Sequence, residues 1–140
     1  MRVAAFLFLL SIPVWADLAQ IKAESSAEKR AMMALDYAGK SLISVREHLQ
    51  ASGIDELKKG LTEFQDAMDL TMESLEATGK NPAKSPNQFK KAELRIREYM
   101  RKLKTLEHDL GFEERALVKP VIERVEKIQD QLVQGIMRKK

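Results

Sequence analysis

The sequence contains no cysteine. Disulfide bonds, thiolate metal sites and a cysteine nucleophile are therefore excluded, and so is a cysteine-linked lipid anchor. Proline and glycine are sparse, with four and six residues in 140, whereas charged residues make up 32%. This composition favours a helical protein over a β-sheet protein or a disordered chain. Without disulfides, such a domain must rely on an apolar core.

Sequence motifs for catalysis and for cofactor binding are also missing. The chain has no Gly-x-Ser-x-Gly elbow and no glycine-rich phosphate loop. Neither His48 nor His108 has a glutamate three residues before it, so the Glu-x-x-His motif of di-iron bundles is absent. Met32 and Met68 fall on apolar stripes, which favours core packing over copper or haem ligation. We predict a protein that is not an enzyme and has no cofactor and no metal site.

The N-terminus has the layout of a secretory leader. Arg2 precedes an apolar run over residues 3–10, Pro13 follows, and Val14-Trp15-Ala16 places compact residues at positions −3 and −1 of a cut after Ala16. The apolar run is shorter than the roughly 20 residues that span a bilayer. We predict cleavage after Ala16 and export to the bacterial periplasm or exterior. An uncleaved signal anchor and a buried N-terminal helix are the alternatives.

Four later segments repeat apolar residues at spacings of three and four, which places them on one face of a helix. The first stripe comprises Met32, Leu35, Ala38, Leu42, Val45 and Leu49. The second comprises Ile54, Leu57, Leu61, Phe64, Met68, Thr71 and Leu75. The third comprises Phe89, Ala92, Ile96, Tyr99, Leu103, Leu106 and Leu110. The fourth comprises Val118, Val121, Val125, Ile128, Leu132 and Ile136. Thr71 is expected to bond back to its own helix.

Capping residues divide these segments. Ser25 and Glu28 form a candidate capping box, so the first helix is expected to begin near Ser26. Ser52-Gly53 and Gly79 are expected to end the first and second helices.

The later helices have signals of their own. Ser85 is the predicted N-cap of the third helix, with Pro86 at its first position. Pro120 is expected near the first turn of the fourth. Gly39 and Gly60, inside the first two helices, are expected at the contact between those helices.

The predicted fold is all-α: an antiparallel up-down four-helix bundle preceded by a cleaved signal peptide. Residues 1–16 are the signal peptide, residues 17–25 a leading segment that folds back on the bundle or contacts a partner, and residues 26–140 the bundle domain. Its helices span about residues 26–52, 54–78, 86–110 and 114–138. Matched lengths and short connections favour this topology over a stack of helical hairpins.

Charge is distributed unevenly over the second and third helices. The second is mostly acidic, while the third carries a basic candidate interaction surface made of Lys90, Lys91, Arg95, Arg97, Arg101, Lys102 and Lys104. One interpretation is a surface for an anionic partner. The favoured alternative is that the third helix lies antiparallel beside the acidic second helix, where the two charge sets complement each other. Export and a net charge of only +3 disfavour nucleic acid as the partner.

The stretch ATGKNPAKSPNQFKKAELRIRE, the opening ADLAQIKAE and the late QGIM resemble small exported all-helical bacterial proteins of an uncharacterised family. This resemblance implies export and helicity, and it implies no activity, ligand or functional residue.

These features together predict an exported, non-enzymatic helical-bundle protein that acts through contacts with a protein partner that the sequence does not specify. The predicted contact surfaces are the basic flank of the third helix and the segment after Asp17. One alternative is a carrier that holds a small ligand or a metal within the bundle. Another is a peripheral envelope protein that binds anionic lipid through the third helix and the Arg138-Lys139-Lys140 tail.

Overall fold

The computed structural model describes residues 14–49 and 53–138, and the part it describes contains five α-helices and no strand. The helices are α1 (Val14–Lys22), α2 (Ala27–His48), α3 (Ile54–Ala77), α4 (Asn87–Asp109) and α5 (Phe112–Met137). The all-helical prediction is confirmed. The four apolar stripes fall on α2 to α5, and most of their side chains are buried in one core.

The first residue of α2 is set by Ser26, whose Oγ accepts a hydrogen bond from the backbone N–H of Lys29 at 3.3 Å. The predicted capping box of Ser25 and Glu28 is therefore wrong by one residue, because Ser26 takes the N-cap position and a lysine follows three residues later. The regular part of α2 ends at His48. The predicted stop at Ser52-Gly53 falls partly on residues 50–52, which lie outside the described residues.

The end of α3 agrees with the prediction. Gly79 has a φ of +68° and donates its backbone N–H to Glu76 O at 3.0 Å, which is the left-handed helix stop that glycine favours.

The start of α4 differs from the prediction. The backbone carbonyl oxygen of Asn81 accepts a hydrogen bond from the backbone N–H of Ser85 at 2.8 Å, which closes a tight turn. As a result, Pro86 O becomes the first helical acceptor, bonded by the N–H of Lys90 at 2.8 Å, and the predicted N-cap role of Ser85 is wrong.

Helix α5 begins at Phe112, directly after its N-cap Gly111, and continues through Pro120. The expectation that Pro120 lies near the first turn is wrong, since it falls in the third. Its ring nitrogen has no hydrogen to donate to the carbonyl of Ala116, so one bond of the helix ladder is missing there.

Consecutive helices form two pairs, α2 with α3 and α4 with α5, which we call the first and second hairpins. Helices α2 and α3 share the most extensive contact. Arg30 Nε donates to the buried Ser74 Oγ at 2.9 Å at one end of this pair, and Val45 packs against Gly60 at the other. Helices α4 and α5 form the second extensive pair.

The two hairpins meet through α2 on α4 and through α3 on α5. Tyr99 Oη of α4 donates to Leu35 O of α2 at 2.6 Å, and Arg124 Nε of α5 donates to Asp69 Oδ1 of α3 at 3.2 Å. The backbones of helices α3 and α4 have almost no contact with each other, although the rings of Phe64 and Tyr99 meet between them. The expectation that the basic third helix lies beside the acidic second helix is therefore wrong, because α2 and α5 take the neighbouring positions.

The segment after Asp17 lies against the rest of the protein. Helix α1 contacts α2 and α3, Ile21 is buried in the core, and Leu18 is partly buried against it. Arg30 Nη1 donates to Glu24 O at 2.8 Å and thereby fastens the α1–α2 connection. Of the two alternatives for this segment, the described structure shows the one in which it folds back.

Candidate functional site

The seven predicted basic residues all lie on α4, but the protein itself uses four of them in ion pairs. The pairs, in order along the chain, are Arg95 with Asp36 (2.6 Å), Arg97 with Glu93 (2.7 Å), Lys102 with Glu98 (3.6 Å) and Lys104 with Glu126 (3.6 Å). Lys90, Lys91 and Arg101 are exposed and form no ion pair with any described residue. The cationic surface available to a partner is therefore smaller than the sequence predicted.

A leucine lies at the centre of these three cations. Leu94 is 59% exposed, and it is one of four strongly exposed large apolar side chains among the described residues, with Ile43, Phe112 and Met137. At 100° per residue, Lys90, Lys91 and Arg101 all lie within about 60° of Leu94 around the α4 axis. We call these four residues the α4 outer face. Leu94 was not among the predicted surface residues, although its position off the apolar stripe of α4 indicates that its side chain is exposed.

Arg97 stabilises the fold through hydrogen bonds to a buried carboxylate, so we do not include it in the α4 outer face. Its Nε and Nη2 donate to Glu93 Oε1 at 3.1 and 2.7 Å, and Gln129 Nε2 of α5 donates to the same oxygen at 3.3 Å. The Glu93 side chain is only 7% exposed. A buried carboxylate needs such donors, because burying a charge without them is costly.

Arg95 and Tyr99 form a second network on the opposite side of α4. Arg95 donates to Asp36 Oδ1 and, through Nη2 at 2.8 Å, to Tyr99 Oη. The Arg95 guanidinium carbon lies 5.8 Å from the centroid of the Tyr99 ring. Burial raises the pKa of Tyr99 above its ordinary value, and the opposing effect of Arg95 does not cancel the rise. This network joins α4 to α2.

We expect Arg97→Gln to lower the free energy of unfolding by about 1–3 kcal/mol, because it leaves the buried Glu93 carboxylate short of donors. Arg101→Gln removes the same charge from a residue without an ion pair and is expected to change stability by about 0.5 kcal/mol or less. Urea unfolding followed by circular dichroism compares the two variants. Equal stability of both variants would contradict the assignment of Arg97 to the fold.

The other candidate side chains have packing or local roles. Met68 is buried, Met32 and Met72 are partly buried against the core, and Thr71 Oγ1 donates to Ala67 O at 2.8 Å as predicted. His48 is exposed and its Nδ1 lies 2.7 Å from Ser44 O. Within the described residues, no group of three or more histidine, aspartate or glutamate side chains is arranged to hold a metal ion.

Comparison with known proteins adds no relative. No protein-family model, curated protein or solved structure matches the chain. Over the residues that the structure describes, no helix has the length and apolarity needed to cross a membrane.

Proposed function

We propose that this protein is an exported, non-enzymatic helical-bundle protein that binds a partner protein through the α4 outer face. The observation that carries the proposal is Leu94, 59% exposed among three cations that the fold does not use. Protein contacts usually combine an apolar centre with a polar, solvent-accessible rim, and Leu94 with its neighbouring cations has this arrangement on a small scale. The complementary partner surface has an apolar pocket bordered by carboxylates.

The proposed architecture is an antiparallel four-helix bundle of α2 to α5 with α1 packed on its side. The order of contacts supports it. In the first hairpin, Arg30 near the start of α2 meets Ser74 near the end of α3, whereas Val45 near the end of α2 meets Gly60 near the start of α3. In the second hairpin, the two contacts join Lys104 to Glu126 and Glu93 to Gln129. Each hairpin thus pairs later residues of one helix with earlier residues of the next.

Export rests on the leader-like sequence before Asp17. A cut after Ala16 would remove the first three residues of α1 and keep Leu18 and Ile21, which pack on the core. The mature protein would therefore retain these two contacts.

The α4 outer face also suits a second candidate, the headgroups of anionic lipids. Lys90, Lys91 and Arg101 supply positive charge, and Leu94 supplies an apolar side chain at the same surface. The Arg138-Lys139-Lys140 tail adds positive charge in the sequence. Each cation near an anionic membrane contributes about 1 kcal/mol, and this attraction falls as salt rises.

The function is tested with protein recovered from the envelope and medium of a bacterial host that expresses the full chain. The expected intact mass begins at Asp17, and a full-length mass in the membrane fraction would overturn the proposed localisation. The recovered protein is then used to capture partners from an envelope extract. Wild type is compared with a triple variant, Lys90→Gln, Lys91→Gln and Arg101→Gln, and with Leu94→Gln.

The matched control is the triple variant Lys40→Gln, Lys119→Gln and Lys127→Gln, which removes the same charge from exposed residues without ion pairs to described residues. We expect a partner that the wild type and the control retain and that both α4 variants lose. Loss in both triple variants would show that net charge alone is responsible. If the wild type and the control bind phosphatidylglycerol vesicles and both α4 variants do not, the partner is a lipid surface and not a protein.

A further inference from the structure

A cleft of 590 Å³ opens at the end of the molecule where α2 is followed by α3 and α4 by α5. This volume lies in the range of about 300–1,000 Å³ that is typical of small-molecule sites. Leu94 and Arg101 lie 15 and eight residues before Asp109 on α4, so these members of the α4 outer face are about 22 and about 12 Å from the cleft along the helix. The cleft is therefore a separate surface, and its role does not depend on the proposed function.

The floor of the cleft is apolar. Val45 of α2, Leu57 of α3 and Leu110 after α4 line it, and each of these side chains is at least nine-tenths buried. Leu49 and Ile54, which are half-buried, extend the apolar lining. Such a surface attracts an alkyl or aromatic group, because covering the apolar area that Leu49 and Ile54 still expose removes it from water.

The polar lining of the cleft is strongly negative. It has four carboxylates, on Glu56, Glu63, Asp109 and Glu114, against a single lysine, Lys59. Asp109 is engaged by Arg46, with Nη2 and Oδ2 3.4 Å apart.

The other three carboxylates form no ion pair with a described residue. Glu63 and Glu114 are also half-buried, so their charges are less screened than those of side chains in open solvent. Negative charge that is partly shielded from water and lies beside an apolar floor favours a cation that carries an apolar group. The cleft residues have none of the clustered ligands that a metal ion needs.

We propose that this cleft binds an amphipathic organic cation, with its apolar chain against Leu49 and Ile54 and its ammonium group between Glu63 and Glu114. A neutral molecule with the same chain gains the apolar contact only. An anion with that chain is repelled by the carboxylates.

Octylammonium, octanol and octanoate test the proposal, because they share one alkyl chain and differ in the charge of the head group. Each is titrated into the ¹⁵N-labelled protein and followed by the glycine amide signals. Gly53, Gly60 and Gly111 line the cleft, whereas Gly39, Gly79 and Gly135 do not and report non-specific effects. We expect octylammonium to shift the first three signals selectively, and to bind about tenfold more tightly than octanol. Octanoate is expected to leave all six signals in place.

Two variants locate the site. Glu63→Gln combined with Glu114→Gln is expected to weaken octylammonium binding about tenfold, to the level of octanol. Glu73→Gln combined with Glu76→Gln removes the same charge at the far end of α3 and serves as the control. Gly53→Leu adds a large side chain to the cleft lining, where a Cβ meets no atom within 4 Å, and it is expected to weaken octylammonium and octanol binding alike.

Four results would overturn the proposal. The first is equal binding of octylammonium and octanol, which would leave the carboxylates without a role. The second is an equal loss of affinity in the Glu73 and Glu76 control. The third is a set of shifts spread over all six glycines, which would indicate non-specific binding. A stable Gly53→Leu protein with unchanged octylammonium affinity would move any binding away from this cleft.

Discussion

Tyr99→Ala is expected to lower the free energy of unfolding by about 3–5 kcal/mol, the usual cost of deleting a buried aromatic side chain. Tyr99 is 2% exposed, and its ring packs edge-on against Phe64 of α3 with centroids 6.0 Å apart. On its other side, the ring covers Gly39 of α2, where an added Cβ would lie 2.7 Å from Tyr99 Oη. One side chain thus joins α4 to both helices of the first hairpin.

The matched control is Phe112→Ala, which deletes an aromatic side chain that is 91% exposed. It is expected to change stability by about 0.5 kcal/mol or less. Urea unfolding measures both variants. A loss below about 1 kcal/mol for Tyr99→Ala would contradict its place at the centre of the core.

Tyr99→Phe separates the hydroxyl group from the ring. It keeps the packing and removes the bonds to Leu35 O and Arg95, at an expected cost of about 0.5–1.5 kcal/mol. Because burial raises the pKa of Tyr99, the unfolded chain loses the phenolic proton before the folded protein does. The stabilisation from the protonated phenol is complete below the unfolded pKa of about 10 and is lost as pH rises through the folded pKa. Above pH of about 10, the wild type should therefore lose stability more steeply than Tyr99→Phe.

The helices could be predicted because their signal is local. Residues such as Leu61, Phe64, Met68 and Leu75 repeat at helical spacing, and all four are buried as that spacing requires. Each helix needs only one apolar face, and the residues that form this face lie three or four positions apart in the sequence. Helix ends were less predictable, because the turn built by Asn81 decided which residue began α4.

The arrangement of helices in space could not be predicted in the same way. The charge pattern favoured α3 beside α4, yet exposed ion pairs contribute only about 0.2–1 kcal/mol each, which is too little to choose neighbours. Packing of whole faces decides that choice, and it placed Tyr99 over Gly39 instead. The same reason explains two of the four ion pairs of α4, since Asp36 and Glu126 became neighbours of its basic residues only through packing. The other two pairs join residues four positions apart within α4.

The cleft at the end of the molecule could not be predicted from the sequence either. Its lining comes from α2, α3, the α4–α5 connection and the start of α5, and no stretch of the chain contains more than part of it. Nothing in the linear sequence therefore joins Glu63 to Glu114. Their common position depends on how the helices pack at this end of the molecule, where Gly60 of α3 faces Val45 of α2.

Gly60→Val is expected to lower the free energy of unfolding by about 1–3 kcal/mol through overpacking. A Cβ at Gly60 collides with the side chain of Val45 across the α2–α3 contact. Valine is a better helix former than glycine, but that gain is only a few tenths of a kcal/mol. Val45 cannot turn away freely, because a β-branched residue in a helix has one strongly preferred rotamer. The clash therefore outweighs the propensity, and urea unfolding should show the loss.

Val45→Ala supplies the matched test, since it empties the space that the new side chain needs. The double variant is expected to be more stable than the sum of the two single effects by at least about 1 kcal/mol. Gly135→Ala is the control for propensity alone, because its Cβ would lie 3.4 Å from the ring of Pro82, and it is expected to gain up to about 1 kcal/mol. Additive effects of Gly60→Val and Val45→Ala would show that the two helices are not held in direct contact at Gly60. The close approach that shapes this end of the first hairpin would then have another cause.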